Sequence, residues 1–543
     1  MVNIKKPLAA SAALMIRQAT ARTAPAAFVG SQWYNQPTFS YRSYTSEKRL
    51  TEDTMSQNVR NMEYAVRGQV VIAADAIQHE IEENPASHTY TKVLYTNVGN
   101  PHQVGQESLQ WPRQVMALCN LPPSKGIDHP VMPQIFPADV IERAREIVHV
   151  GLHDQGTGAY SHSQGHEAFR KDIANFITQR DGGVESKPEH IFMCNGASSG
   201  IEMILDVLLN GPEAGLMIPI PQYPIYSASI ACHGAHQVGY YLDEEKGWSL
   251  SKDHLEEQLA AAKAKGINVV GFVLINPGNP TGQVLTRQAL QDVVTFCAAH
   301  KLVLLSDEVY QDNVYDEKAE FVSAKRVAFE MGLLEQDAIE LVSFHSTSKG
   351  LFGECGHRGG YMELIGMDKT VEQHIYKLAS SGLCPNLDGQ LLMDLMVRGP
   401  EPGTDSYREH EAQKAKIFTE LKAKAKLMTE GLNSIPGFSC QPAQGAMYCF
   451  PKIEMPKGAI AAANEKGMAV DTYYALSLLD QTGICVVPAA GFGQKPGRNG
   501  FRTTFLPSID DMKKAIQDIK QHHLDFCAKH GSPITEDAAK AAA

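Results

Sequence analysis

Four short apolar runs in this chain each end in residues that could do chemistry. Asn268–Ile275 leads into Asn276-Pro277-Gly278-Asn279-Pro280-Thr281-Gly282, and Leu302–Ser306 leads into Asp307-Glu308-Val309-Tyr310. Leu341–Phe344 leads into His345-Ser346-Thr347-Ser348-Lys349-Gly350, with Arg358 nine residues past the lysine. Ile191–Cys194 leads into Gly196-Ala197-Ser198-Ser199, which opens a helical pattern. Taken singly these are weak signals: a lone Lys is usually a solvated charge, a strand-end Asp a turn residue, and Ser198 a helix cap. Taken as an ordered set they match the needs of one cofactor, pyridoxal 5′-phosphate (PLP). It must be held as an imine by a lysine and kept electron-poor by an acid at its ring nitrogen. Its phosphate needs amides at a helix start and a cation, and its ring needs an aromatic face. Lys349, Asp307, Ala197 with Ser198, Arg358, and Tyr223 in Pro221-Gln222-Tyr223-Pro224 fill those needs in turn.

These residues can meet only if the elements bearing them lie side by side. The four runs are apolar throughout, so they read as strands buried on both faces. Helical faces lie between them: Phe169, Ile173, Phe176 and Ile177 share one, and Leu290, Val293, Val294 and Cys297 share another. A helix is also expected over Ser199–Leu209. Strands alternating with helices imply an α/β fold with a mostly parallel sheet covered on both sides, whose ligands gather at the carboxyl ends of strands. Later sequence changes character. A helix is expected over Tyr407–Leu432, short strands at Ala446–Phe450, Ile484–Pro488 and Phe501–Leu506, and a last helix over Ile509–His530. The reading is a large α/β domain over 152–400 and a smaller α+β domain over 401–543. An N-terminal stretch, 47–151, serves as an arm and contributes part of the small domain.

Composition bounds the rest. The chain has 543 residues, 43% apolar and 20% charged, the balance of a globular protein long enough for two domains. A net charge of −12 argues against sequence-independent binding of nucleic acid. No apolar stretch is long enough for a membrane span. Ten cysteines show no C-x-x-C pair and no metal-ligand spacing, so they read as reduced thiols. Residues 1–46 hold Lys5, Lys6, Arg17, Arg22 and Arg42 and no acid before Glu47. That is the composition of an organelle transit peptide, with the mitochondrial matrix the expected destination and a chloroplast the alternative.

The ordered motifs N-P-G-N-P-T-G, S-D-E-V-Y, S-T-S-K-G-x-x-G-E-C-G-x-R-G-G and Phe501-Arg502-Thr503-Thr504 resemble the fold-type I, class I/II aminotransferases, most closely their alanine aminotransferase branch. The similarity runs from about Met62 to His530. It implies that Lys349 carries the cofactor and moves the substrate proton, that Asp307 pairs with the ring nitrogen, and that Tyr310 and Asn279 bond the phenolic oxygen. Tyr223 would stack on the ring, while Ala197, Ser198, Ser346 and Arg358 hold the phosphate. Arg502, helped by Asn279 and the Gly99 backbone, would grip the substrate α-carboxylate as a planar fork. Tyr160, in Gly158-Ala159-Tyr160-Ser161, would reach the phosphate of a second subunit and make the protein a homodimer with shared sites. The motifs assign no arginine to the distal carboxylate of a dicarboxylic substrate.

The resemblance implies alanine:2-oxoglutarate transamination by a ping-pong mechanism. Glutamate:glyoxylate transamination would use the same motifs, and a PLP-dependent lyase of the aminocyclopropane-carboxylate synthase kind would share the lysine, the aspartate and the arginine. A PLP-sensing transcription regulator would need a DNA-binding segment, and no basic helix-turn-helix pattern precedes Tyr64.

Overall fold

The computed structural model describes residues 48–64 and 67–531. The expected transit segment lies outside them. The chain divides into two compact units, Met1–Met55 and Ser56–Ala543. Within the described part of the first, the Thr54 hydroxyl closes a turn on the Arg49 carbonyl at 2.7 Å. All that follows concerns the second unit, inside which the boundaries expected near 151 and 400 fall.

Seven strands form the central sheet: β1 Ile191–Asn195, β2 Ala214–Ile220, β3 His236–Tyr241, β4 Asn268–Ile275, β5 Val303–Asp307, β6 Leu341–Ser346 and β7 Gly359–Ile365. Their order is β1-β7-β6-β5-β4-β2-β3. Every pairing is parallel except those of β7, which runs antiparallel to both β1 and β6. Successive residues of one strand serve opposite cores. On β4, Val273 and Ile275 join Ile201, Leu205 and Ile230 on one side, while Phe272 and Leu274 join Leu259, Leu290 and Val294 on the other. That alternation is the period-2 geometry of a strand, and burial on both faces explains why the sequence reads as unbroken apolar runs.

Three of these strands are absent from the sequence reading. β2 is wholly buried, but Gly215 and Pro219 interrupt its apolar pattern. β3 is an edge strand with exposed His236 and Gln237, and β7 opens on two glycines.

The remaining sequence builds a second group of elements. Its three-stranded antiparallel sheet has the order β8 (Tyr448–Cys449), β10 (Phe501–Thr504), β9 (Val487–Pro488). The strand expected over Ile484–Pro488 is broken at Val486, and its first half pairs in parallel with Leu94–Tyr95. That pairing carries the N-terminal segment into the sheet region, where the Thr504 N–H also donates to the Thr96 carbonyl at 2.9 Å. Two long helices cover this part, Asp405–Asn433 and Ile509–His530. Each has a side-chain N-cap. The Thr404 hydroxyl accepts from the Tyr407 N–H and the Ser508 hydroxyl from the Asp511 N–H, satisfying amides that a helix start leaves open. All ten cysteines are free, seven of them buried. No helix among the described residues is long and apolar enough to cross a membrane.

Candidate active site

Register brings the chemistry to one edge. Ile275 pairs with Asp307 and Asp307 with Phe344, so β4 and β5 end level and β6 runs two residues further on the same edge. The loops after them converge on a cavity of about 280 Å³, whose walls include Gly99, Ala197, Ser198, Tyr223, Asn279, Asp307, Tyr310, Ser346, Lys349, Arg358 and Arg502. Of the residues singled out from the sequence, only Tyr160 is not among them: it is 74% exposed.

Asp307 closes β5 and is 4% exposed. Its carboxylate accepts from the Tyr226 hydroxyl at 3.2 Å and from the Val309 N–H at 3.4 Å. Burial pushes its pKa up to about 6, opposed by those two bonds and by the positive charge of Lys349.

Lys349 lies in the turn beyond β6, and its Nζ donates to the Gly99 carbonyl at 2.6 Å. Gly99 is required by close approach. A Cβ there would stand 2.6 Å from the Tyr448 hydroxyl and 3.2 Å from Lys349 Nζ. Behind this contact the Tyr310 hydroxyl donates to that of Tyr448 at 3.0 Å, with the rings edge to face. Burial works against ionising Tyr448, but Lys349 and Arg502 outweigh it and hold its hydroxyl below the usual tyrosine range.

The far end of the cavity is built for an anion. The helix Ala197–Leu208 starts two residues before the expected Ser199. Gly196 is its N-cap, so Ser198 is not the cap, and no side chain caps the first-turn amides. That leaves their N–H groups and the positive end of the helix directed at the cavity. Gly196 adopts φ +74°, and a Cβ there would stand 2.3 Å from an Arg358 nitrogen. A Cβ on Gly360 of β7 would press within 2.9 Å of the Ala197 nitrogen. Glycine at both positions therefore lets β7, the helix start and the guanidinium close up. Arg358 is held by the carbonyls of Asn195 (3.0 Å) and Cys355 (3.2 Å). The Ser346 hydroxyl sits beside it, accepting from the Ser348 N–H at 3.3 Å.

Arg502, on β10, is 1% exposed. One terminal nitrogen donates to Asn279 Oδ1 at 3.1 Å and the other to the Asn97 carbonyl. Its guanidinium lies 4.3 Å from the Tyr448 ring centre and 4.8 Å from that of Phe492, and its buried Nε has no hydrogen-bond partner. The Gly99 backbone, expected to help Arg502 with a substrate carboxylate, lines the same cavity as Arg502, and its carbonyl accepts from Lys349. A buried cation met only by neutral oxygens and aromatic faces is suited to an incoming carboxylate.

Tyr448, Tyr226 and Arg67 are missing from the sequence reading. Tyr448 had a weak signal, as an aromatic on a short strand paired with the one bearing Arg502. Tyr226 stands three residues after Tyr223, one helical turn on. Arg67 belongs to no motif.

A family profile described as "Aminotransferase class I and II" matches residues 133–519. The chain is 47% identical over 496 residues to a probable mitochondrial alanine aminotransferase of Dictyostelium discoideum, covering 90% of this chain and 92% of that one. It is 44% identical over 483 residues to glutamate–glyoxylate aminotransferase 1 of Arabidopsis thaliana, covering 89% and 98%. Among solved structures, an alanine aminotransferase from Pyrococcus furiosus superposes with a TM-score of 0.67 at 24% identity, covering 87% of this chain and all of that one.

Proposed function

This chain belongs to the class I and II aminotransferases, which work with PLP, and from that premise we propose that it transfers the amino group of alanine to 2-oxoglutarate, yielding pyruvate and glutamate. The observation that carries the reading is the meeting of Lys349, Asp307, Arg358 and Arg502 around one cavity, in a chain 47% identical to a probable alanine aminotransferase.

The donor set fits PLP. The uncapped helix start, pressed against β7 by Gly196 and Gly360, offers amides to a phosphate, with Arg358 and Ser346 beside it. Asp307 offers a buried acid to a ring nitrogen, and Tyr223 lines the same wall for a ring to stack on. When bound, PLP supplies an aldehyde that takes up amino groups and a ring that withdraws electrons. The rest falls to this chain. Lys349 anchors the cofactor and carries the proton away from substrate Cα. Asp307 stays charged against the ring nitrogen, and Tyr310 and Asn279 bond the phenolic oxygen. Arg502 orients the substrate through its α-carboxylate, with Asn279 and the Gly99 backbone close by. Pyruvate leaves before 2-oxoglutarate enters the same pocket.

Glutamate:glyoxylate transfer is the second reading, favoured by the 44% identity to the Arabidopsis enzyme. A panel of alanine, glutamate, glyoxylate and 2-oxoglutarate with purified, PLP-loaded protein separates the two. Alanine with 2-oxoglutarate should give the highest kcat/KM. A glyoxylate rate tenfold higher would replace the first reading.

The proposal extends to assembly and address. Tyr160, exposed on a single chain, would complete the phosphate site of a second copy in a symmetric homodimer. Mixing inactive Lys349→Ala chains with Tyr160→Ala chains should restore activity above the Tyr160→Ala level, and heterodimers without any gain would refute the sharing. The destination would be the mitochondrial matrix, in line with the named location of the Dictyostelium relative. The large (152–400) and small (401–543) domains would meet at the cavity.

A further inference from the structure

Three guanidinium groups line the cavity, those of Arg67, Arg358 and Arg502. Two are fixed. Arg358 is tied to two backbone carbonyls beside the helix start, and Arg502 to Asn279 and the Asn97 carbonyl. Arg67 is built differently. Its side chain is exposed and makes no hydrogen bond or ion pair among the described residues. Its backbone, by contrast, is anchored on both sides. The Arg67 N–H donates to the Tyr64 carbonyl at 3.0 Å, and the Tyr64 hydroxyl bonds that of Tyr223, itself a wall of the cavity, at 2.9 Å. Beyond Gly68, the helix Gln69–Glu83 buries Val70, Val71 and Ala74. A long cationic side chain with free ends is thus mounted on a fixed base at the cavity.

The substrates differ in charge. Alanine and pyruvate carry one carboxylate, whereas glutamate and 2-oxoglutarate carry a second at the far end of the chain. The phosphate and the α-carboxylate occupy Arg358 and Arg502 in the reading above, and Lys349 serves the reacting carbon. Asp307 is the one carboxylate among the lining residues, so no acid of the cavity competes for a further cation. We propose that Arg67 is a specificity residue, binding the distal carboxylate of five-carbon dicarboxylic substrates and turning to solvent when alanine occupies the pocket. The inference rests on the proposed alanine:2-oxoglutarate reading.

The physical advantage lies in mobility. A fixed buried cation would face the alanine methyl group without a partner, an unfavourable desolvated charge. An exposed arginine stays hydrated in that half-reaction, and forms a two-pronged, charge-assisted contact only when the second carboxylate arrives. Ordering its side chain on binding costs less than a charge-assisted pair returns.

The test uses PLP-loaded enzyme with Arg67→Gln and Arg67→Lys. Glutarate, a five-carbon dicarboxylate that cannot transaminate, is the binding probe, and butyrate is its single-carboxylate control, both followed by calorimetry. Arg67→Gln should weaken glutarate, and raise KM for glutamate and 2-oxoglutarate, by about tenfold or more, the scale of one lost charge-assisted contact. Butyrate affinity and KM for alanine and pyruvate should stay within about twofold of the parent. Arg67→Lys, which keeps the charge and loses the fork, should show the same pattern at smaller size, and it decides the matter if the glutamine variant does not fold. Unchanged glutarate affinity overturns the inference, as does an equal rise in KM for alanine and 2-oxoglutarate. A parent enzyme that binds glutarate but does not transaminate alanine would refute the functional reading, leaving glutarate to judge Arg67.

Discussion

Cations are handled in two ways in this molecule. On the flank where the helix Ala138–Glu146 meets Leu387–Val397, Arg143 bonds Glu146 and the fully buried Asp394, with Asp172 at 3.3 Å. Elsewhere off the cavity, Lys325 donates to Glu363 at 2.6 Å, and Arg180 bonds Asp181 at 2.8 Å. Each of these charges is neutralised by the chain's own acids. At the carboxyl edge of the sheet, Arg358 and Arg502 are met by carbonyls, an amide oxygen and ring faces, with no carboxylate partner among the described residues. The first arrangement satisfies the fold. The second leaves positive potential for a ligand, strengthened by burial at Arg502.

The largest expected effect removes the site's amine. Lys349→Ala should lower turnover by at least about 10⁴-fold, because in the proposed reading the same group anchors the cofactor and moves the proton. The protein should fold normally, and steady-state turnover near the parent's would show Lys349 to be an ordinary charge.

The two kinds of cation can be compared directly. Arg143→Met should destabilise the cofactor-stripped protein by about 3–5 kcal/mol, since it strands a buried acid. Arg502→Met strands no acid, so its melting temperature should stay near the parent's while alanine KM rises about 10²-fold, the worth of a charge-assisted fork. Equal losses of melting temperature would erase the distinction.

A smaller effect sharpens it. Asp307 titrates near 6 in the fold and near 3.8 when unfolded, so its carboxylate is penalised by folding. The sign follows: this group favours the fold fully below pH 3.8, and that contribution is lost as pH rises through 6. Asp307→Asn, which cannot ionise, should therefore stabilise the cofactor-stripped protein at pH 8 by on the order of 2–3 kcal/mol relative to the parent, with the gain gone near pH 4. The same variant, loaded with PLP, should lose several kcal/mol of transition-state stabilisation. Denaturation curves at both pH values and kcat measure the two halves, and a stripped variant no more stable at pH 8 than at pH 4 would deny Asp307 its strain.

These contrasts were partly legible in the sequence. The strands ending at Ile275, Asp307 and Ser346 announce themselves because both their faces are buried, and their terminal residues then fall at one edge. β2, β3 and β7 do not, because Gly215, Pro219, the polar start of β3 and the Gly359-Gly360 pair break the apolar signal that burial otherwise imposes. Lys349, Asp307 and Arg358 sit in sequential motifs. Tyr448 and Arg67 reach the cavity, and Tyr226 reaches Asp307, through long-range packing, which leaves at most a weak local signal.

The antiparallel course of β7 has a metric consequence. Lys349 follows the end of β6 closely, Arg358 immediately precedes β7, and Ser346 pairs with Gly360 across the two neighbouring strands. Amine and guanidinium are therefore carried on one hairpin connection between strands roughly 5 Å apart, not on separate crossovers. The loop acts as a caliper whose jaws are set by the sheet. In the proposed reading it would gauge the span from a reactive carbonyl to a phosphate, and a cofactor of another length would fail to close both jaws however well its ring stacked.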